Sequence, residues 1–313
     1  MERKAPIIII AGATGVGKTA VALALARQIG GAIVSADSQQ VYRGLTIGTA
    51  KPTPEECGEI EYAGIDLADF DEQFDLARFI AFADAAIAKF QAADRTAIVA
   101  GGTGLYLQGL LEGVFEGPPV NLELRAALFA RLAKEGEERL FLELQEIDPT
   151  AAAAIHPHDH VRLVRALEIH RQTGRPLSEL QRESRSAAPR WPHHLFALTR
   201  PRDKLYRIID ERAEAMIAAG WLDEVRELAT QGFSAEAPAA KALGYAQLLS
   251  CLQGELEQAE AVEEIKTASR RYAKRQFTWL RHMKGVQWLD IEDQPPQETA
   301  TVIEQLLSHP PLA

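Results

Sequence analysis

Asparagine is nearly missing from this 313-residue chain: Asn121 is the only one, and Leu follows it. No aspartate has glycine three places on, so the Asn-Lys-x-Asp and Asp-x-x-Gly elements of a GTP-hydrolysing switch are both lacking. Cysteine is scarce too. Cys57 and Cys251 stand outside any Cys-x-x-Cys or Cys/His spacing, which argues against a disulfide framework or a structural zinc module and leaves both as reduced bystanders. No apolar segment approaches the roughly 20 residues that cross a bilayer, and no small-residue cleavage site follows the run Ile7 to Ile10. A cytoplasmic protein with no membrane association is expected. From Ile265 to Leu289 there is no carboxylate, while the same stretch holds Lys266, Arg270, Arg271, Lys274, Arg275, Arg281 and Lys284 in a chain of net charge −10. The overall charge argues against indiscriminate nucleic-acid binding, whereas a one-signed cationic helix within it points to a specific polyanion.

What is present reads as a globular protein with a real core, at 47% hydrophobic and 25% charged residues, and its length suggests two units. The apolar runs at 32–37, 62–66 and 96–102 predict buried strands, and the segments between them carry helical periodicity, the pattern of a parallel sheet covered by helices on both faces. That alternation stops at Gly117-Pro118-Pro119, after which Asn121 can cap a helix; helical periodicity then runs to about residue 183 and ends in a loop at 186–192. The run 193–200 returns to the sheet, followed by helices at 203–218, 221–231 and 257–281. The predicted organisation is therefore an α/β core at 1–119, an inserted all-helical domain at 120–190, and a second part of the core at 191–313 ending in the basic helix.

Between the first strand and the first helix lies Gly12-Ala13-Thr14-Gly15-Val16-Gly17-Lys18-Thr19, a match to the phosphate-binding P-loop pattern in the context that pattern needs. Glycines let successive backbone N–H groups converge on phosphate oxygens, the helix N-terminus adds partial positive charge, Lys18 supplies a point charge, and Thr19 can ligate Mg²⁺. The motif leaves the fate of the phosphate open: hydrolysis, transfer or expulsion. An ATPase would place an acid at a strand end to hold Mg²⁺ and orient water, but the strand at 96–102 runs into Gly101, Gly102 and Thr103, a turn rich in donors suited to more phosphate. The acid at a strand end is Asp37, with Asp66 a weaker second; Asp37 reads equally as a residue supporting Mg²⁺ or as a general base.

The segment Ala36 to Pro52, ADSQQVYRGLTIGTAKP, narrows the choice. Together with the P-loop, 100–113, 162–180, Lys241 to Leu249 and Ala273 to Arg281, in that order along nearly the whole chain, it resembles the bacterial tRNA dimethylallyltransferase (tRNA isopentenyltransferase) family. The resemblance implies a P-loop NTPase-like fold in which dimethylallyl diphosphate occupies the loop with Mg²⁺ and its prenyl unit moves to the exocyclic amine of the adenosine beside the anticodon's third letter in tRNA. Diphosphate leaves, and no nucleoside triphosphate is consumed. By position in the family pattern, Asp37 accepts the proton of the amine, Thr103 contacts diphosphate or closes the adenine site, and Arg226 is a second cation on diphosphate beside Lys18 and Thr19.

The same pattern implies contacts to the tRNA anticodon stem-loop from Asp37, Ser38, Gln39, Gln40 and Thr103, from Arg125 and Val161, Arg162, Leu163, Val164 and Arg165 of the insert, and from Lys241, Gly244, Tyr245, Lys274, Arg275, Gln276, Trp279 and Arg281. Ala246 replaces a commonly polar residue there. A base acted on inside an anticodon loop must first be extruded from its stack. A monomer without an obligate protein partner is expected. On residue chemistry, Phe277, Trp279 and Leu280 read as core at helical spacing, and His156, His158 and His160 as polar loop residues around a helix cap at Asp159. The competing function for such a chain is that of a small-molecule or nucleotide kinase.

Overall fold

The computed structural model describes residues 4–113, 117–184, 189–292 and 294–308; the first part of the loop expected at 186–192 lies outside them. In chain order the elements begin with β1 (Ile7–Gly12), α1 (Lys18–Ile29), β2 (Ala32–Ser35), α2 (Pro54–Cys57), β3 (Tyr62–Ala63), α3 (Leu76–Ala92), β4 (Ala97–Gly101) and α4 (Gly104–Glu112). Five helices follow: α5 (Leu122–Glu135), α6 (Glu137–Ile147), α7 (Pro149–Ala154), α8 (His160–Thr173) and α9 (Leu177–Ser184). The chain continues with β5 (His193–Thr199), α10 (Arg202–Ala218), α11 (Trp221–Thr230), a 3₁₀ turn (Pro238–Lys241), α12 (Tyr245–Leu252), α13 (Gln258–His282), β6 (Val286–Asp290) and α14 (Pro296–Ser308).

Two compact units result, Met1–Leu111 with Trp191–Ala313, and Glu112–Arg190. The first is built on one parallel sheet of order β3-β2-β4-β1-β5-β6, with Ile8 opposite Ile98 on one side of β1 and opposite His194 on the other. Every residue of β1 is buried, and because side chains alternate across a strand this requires cover on both faces. Ile8 and Ile10 pack with Val21 and Leu25 of α1 and with Ala300 and Ile303 of α14. β3 is shorter than the run at 62–66, since its ladder with β2 ends at Ala63 and Gly64 turns the chain with a positive φ of 93°. β6 and α14 add to the elements expected from the sequence; β6 is a sheet edge, half exposed, paired with β5. A second apolar cluster of the same unit joins Val41 and Leu45 to Trp221, Val225, Tyr245, Leu248 and Ile265.

The all-helical unit has its own core, centred on Leu128, Leu140, Leu144, Leu163 and Leu167. Asn121 caps α5 by accepting from the Leu124 N–H at 2.9 Å, and Asp159 caps α8 by accepting from the Arg162 N–H at 3.1 Å. No described helix is long and apolar enough to cross a membrane.

Candidate active site

The strand order reverses around β1 and β4, and the ends of these strands open into a cavity of about 600 Å³ in the sheet unit. The P-loop forms one wall. Gly17, with φ 109°, turns the chain into α1 in a left-handed conformation that a Cβ would strain, and Lys18 folds back to donate to the Ala13 carbonyl at 2.9 Å. Burial lowers the Lys18 ammonium to about 8, with Asp37 opposing the shift and Arg212 adding to it. Arg212 is shifted down as well, through burial, against the pull of Asp37. Lys18, Arg212 and Asp37 thus lie within electrostatic reach of one another in the cavity, whose wall also carries Arg27, Lys51 and Glu56, at a helix N-terminus that favours anions.

Asp37 follows β2, where its Oδ1 accepts from the Gln39 N–H at 2.9 Å and leaves the other oxygen toward further partners. Behind it, Thr103 Oγ1 accepts from the Ser38 N–H at 3.0 Å and donates to Ser38 Oγ at 3.3 Å. Thr103 therefore does not line the cavity but fixes the turn that presents Asp37. The β4 turn is also less free to bind phosphate than its composition suggests. The Thr103 N–H is taken by the Ala36 carbonyl at 3.3 Å, and Gly101 is glycine because a Cβ would lie 2.2 Å from that same oxygen. Thr19, Ser35 and Tyr62 bring hydroxyl groups together beside Asp37, an all-oxygen donor set that suits a hard divalent cation such as Mg²⁺.

Arg226 is elsewhere. It pairs with Asp223 on the exposed face of α11 and does not line the cavity, whereas Arg212, which the sequence reading missed, does. The signal was there: Ile209, Arg212, Ala213 and Met216 recur at helical spacing on the buried stripe of α10 and all reach the cavity, so Arg212 interrupts an apolar face.

The positions expected on tRNA divide by burial. Gln39 and Gln40 line the cavity, with Gln40 buried and donating to the Thr49 and Ala50 carbonyls, both at 3.2 Å. Lys241, Lys274, Arg275 and Arg281 are exposed, and in the helical unit so are Val161 and Arg162. Leu163 and Val164 are core residues at 0% and 1% exposure, because α8 turns that face onto α5 and α6. Arg125 and Arg165 of the same unit converge on the buried Glu168 at 2.7 and 3.0 Å. Gln276 is buried between two loops, accepting from the Thr14 N–H and donating to the Gly102 carbonyl, both at 2.8 Å. Trp279 packs over Gly104, where a Cβ would sit 2.1 Å from the indole. Gly244 packs on Trp221, and Tyr245 is fully buried with its hydroxyl 2.6 Å from Glu224. The basic stripe splits in the same way: Lys266 is buried against Glu214 and Glu263 at 2.7 Å, and Arg270 holds Asp210 at 2.5 Å, so both brace the core.

A fastening of the loop after Asp37 was not foreseen. Glu224 of α11 accepts from the N–H groups of Thr46 at 3.0 Å, Ile47 at 2.6 Å and Gly48 at 3.5 Å, and from Tyr245 Oη. The loop it holds supplies Gly48, Thr49, Ala50 and Lys51 to the cavity wall.

Comparison with known proteins agrees with this geometry. A family model described as IPP transferase matches residues 40–283, and one described as isopentenyl transferase matches 5–68. The chain belongs to the IPP transferase family. A tRNA dimethylallyltransferase of Thermomicrobium roseum is 48% identical over 292 residues, covering 93% of this chain and 88% of that protein. One of Anaeromyxobacter sp. strain K is 47% identical over 98% of this chain and 99% of its own length. Among solved structures, the full-length tRNA isopentenylpyrophosphate transferase of Bacillus halodurans superposes with TM-score 0.73 at 34% identity, covering 97% of this chain and 95% of that one. A eukaryotic dimethylallyltransferase acting on tRNA superposes with TM-score 0.83 at 27% identity, covering 97% and 79%. IPP transferase membership fixes the P-loop sheet with its helical insertion as the fold.

Proposed function

We propose that this protein transfers the dimethylallyl group of dimethylallyl diphosphate to the exocyclic N6 amine of the adenosine 3′ to the anticodon in cytoplasmic tRNA, releasing diphosphate. The observation that carries this reading is the placement of Lys18, Arg212 and Asp37 in one cavity, with cations for a departing anion and a carboxylate for a proton. The allylic C–O bond breaks and its electrons go to diphosphate, where Lys18, Arg212 and the loop amides offset the growing charge. The N6 nitrogen forms the new bond to carbon, and its proton passes to Asp37. The amine is a poor nucleophile because its lone pair is delocalised, so such a base contributes roughly 10²–10⁴ in rate. Thr19, with the Ser35 and Tyr62 hydroxyls beside it, would hold Mg²⁺, whose charge would neutralise part of the diphosphate.

Thr103 acts through Ser38 on the orientation of Asp37 rather than on the substrate. The exposed Lys274, Arg275 and Arg281 on α13, with Lys241, supply phosphate contacts from the sheet unit, and Arg162 supplies one from the helical unit. A small-molecule or nucleotide kinase is not favoured, because the relatives that match along nearly the whole chain are tRNA dimethylallyltransferases. The direct test incubates the protein with bulk tRNA, Mg²⁺ and labelled dimethylallyl diphosphate, without ATP. Label is expected in N6-modified adenosine; an RNA that stays unlabelled, beside ATP-dependent phosphorylation of a small acceptor, refutes the reading.

A further inference from the structure

We infer that Glu137, His158 and His160 form a binding site for a divalent transition-metal ion of the Zn²⁺ class on the helical unit. Two imidazoles converge on one carboxylate, His158 Nδ1 on Oε1 and His160 Nε2 on Oε2, each at 2.6 Å. The ligand atoms all lie within 4.8 Å of one another. Two nitrogens and one oxygen are the donor set that Zn²⁺ and its neighbours prefer, with a water completing the coordination. Seating an ion at bonds of about 2.1 Å requires the two nitrogen–oxygen contacts to open to roughly 3.4 Å, a side-chain adjustment only.

The three residues are held in place by backbone that does not depend on an ion. Glu137 is the first residue of α6 and His160 the first of α8. The turn that carries His158 is closed by the Asp159 N–H on the His156 carbonyl at 2.8 Å, and Asp159 then caps α8. Among the described residues no lysine or arginine pairs with Glu137, and Arg162, two residues after His160, is on Asp159 at 3.4 Å. An exposed carboxylate gains little from a second neutral imidazole, whereas an ion uses both. Bound metal would fasten the start of α6 to the start of α8, the helix that presents Val161 and Arg162.

The test uses the full chain carrying C57S and C251S to remove competing thiols, stripped with chelator and titrated with Zn²⁺ by calorimetry and with Co²⁺ by visible absorption. One equivalent should bind, and H158A, H160A and E137Q should each weaken it by roughly tenfold or more. Zn²⁺ should raise the melting temperature of the parent and not of H158A/H160A, whose metal-free melting matches the parent because both side chains are solvent-facing. Absence of saturable binding, or one equivalent that survives in H158A/H160A, overturns the assignment and leaves the cluster as a pair of surface hydrogen bonds.

Discussion

Replacing Glu224 by alanine tests whether the loop at 46–51 is held from α11. The carboxylate takes two short backbone N–H bonds, at 3.0 and 2.6 Å, a longer one at 3.5 Å, and the Tyr245 hydroxyl at 2.6 Å. Hydrogen bonds to a charged group contribute roughly 1.5–3 kcal/mol each, and their removal leaves the buried Tyr245 hydroxyl and the Ile47 N–H without an acceptor. Discounted for the partial exposure of Glu224, the loss comes to about 3–4 kcal/mol. In a body of this size that corresponds to a fall of roughly 6–16 °C in melting temperature. Tyr245→Phe removes one of the four contacts and should cost about 1–2 kcal/mol. The double variant should be less destabilised than the sum of the two, since both changes delete the same bond. Differential scanning calorimetry of the four proteins gives the cycle. A second assay separates fold from function: at a temperature where Glu224→Ala is still folded, kcat/KM for dimethylallyl diphosphate should fall about tenfold or more, because the loop is a wall of the cavity. A variant that melts within about 2 °C of the parent would refute the fastening role.

Asp37→Ala should lower kcat by roughly two to four orders of magnitude with the affinity for dimethylallyl diphosphate within a few-fold, and a collapse of that affinity instead would assign Asp37 to Mg²⁺. Arg212→Ala should impair turnover by about 10²-fold or more while Arg226→Ala stays within about twofold, as steady-state kinetics on both will show; equal effects would refute the placement of Arg212 in the cavity. Neutralising Lys274 and Arg275 together should raise the KM for tRNA and reduce the logarithmic salt slope of binding by roughly 0.7–0.9 per lost contact, with melting unchanged, whereas Lys266→Ala should lower the melting temperature through its contacts to Glu214 and Glu263. In the helical unit, burial acts to raise the Glu168 carboxyl, but Arg125, Arg165 and the Asn121 N–H outweigh it and the net shift is downward. Its contribution is therefore complete above the ordinary carboxylate range and is lost as pH falls through the lowered value. Glu168→Gln should remove that part of the acid sensitivity in circular-dichroism titrations, and an unchanged acid transition would count against it.

Local chemistry determined by itself the parts of this protein that depend on neighbours in sequence. The P-loop is such a part, since strand, glycine turn and helix N-terminus are contiguous, and Asp37, the Asn121 cap and the Asp159 cap follow for the same reason. The inserted helical stretch is another, because a break in strand–helix alternation is visible in periodicity alone. Tertiary packing decided whatever depends on which side of a helix meets a distant element. Arg212 and Arg226 are both arginines on helices rich in acids, and only the burial of one stripe of α10 against the cavity separates them. Leu163, Val164, Tyr245 and Gln276 lie in or beside motifs of the family and look like ligands in a linear pattern; in space Leu163, Val164 and Tyr245 are core, and Gln276 ties the P-loop to the β4 turn at the cavity wall. Lys266 and Arg270 share a cationic run with Lys274 and Arg275, yet the acids of α10 take the first two while Lys274 and Arg275 are exposed. A sequence records charge and spacing, but desolvation and pairing are properties of the packed interior, and these decide whether a cation binds substrate or holds the fold.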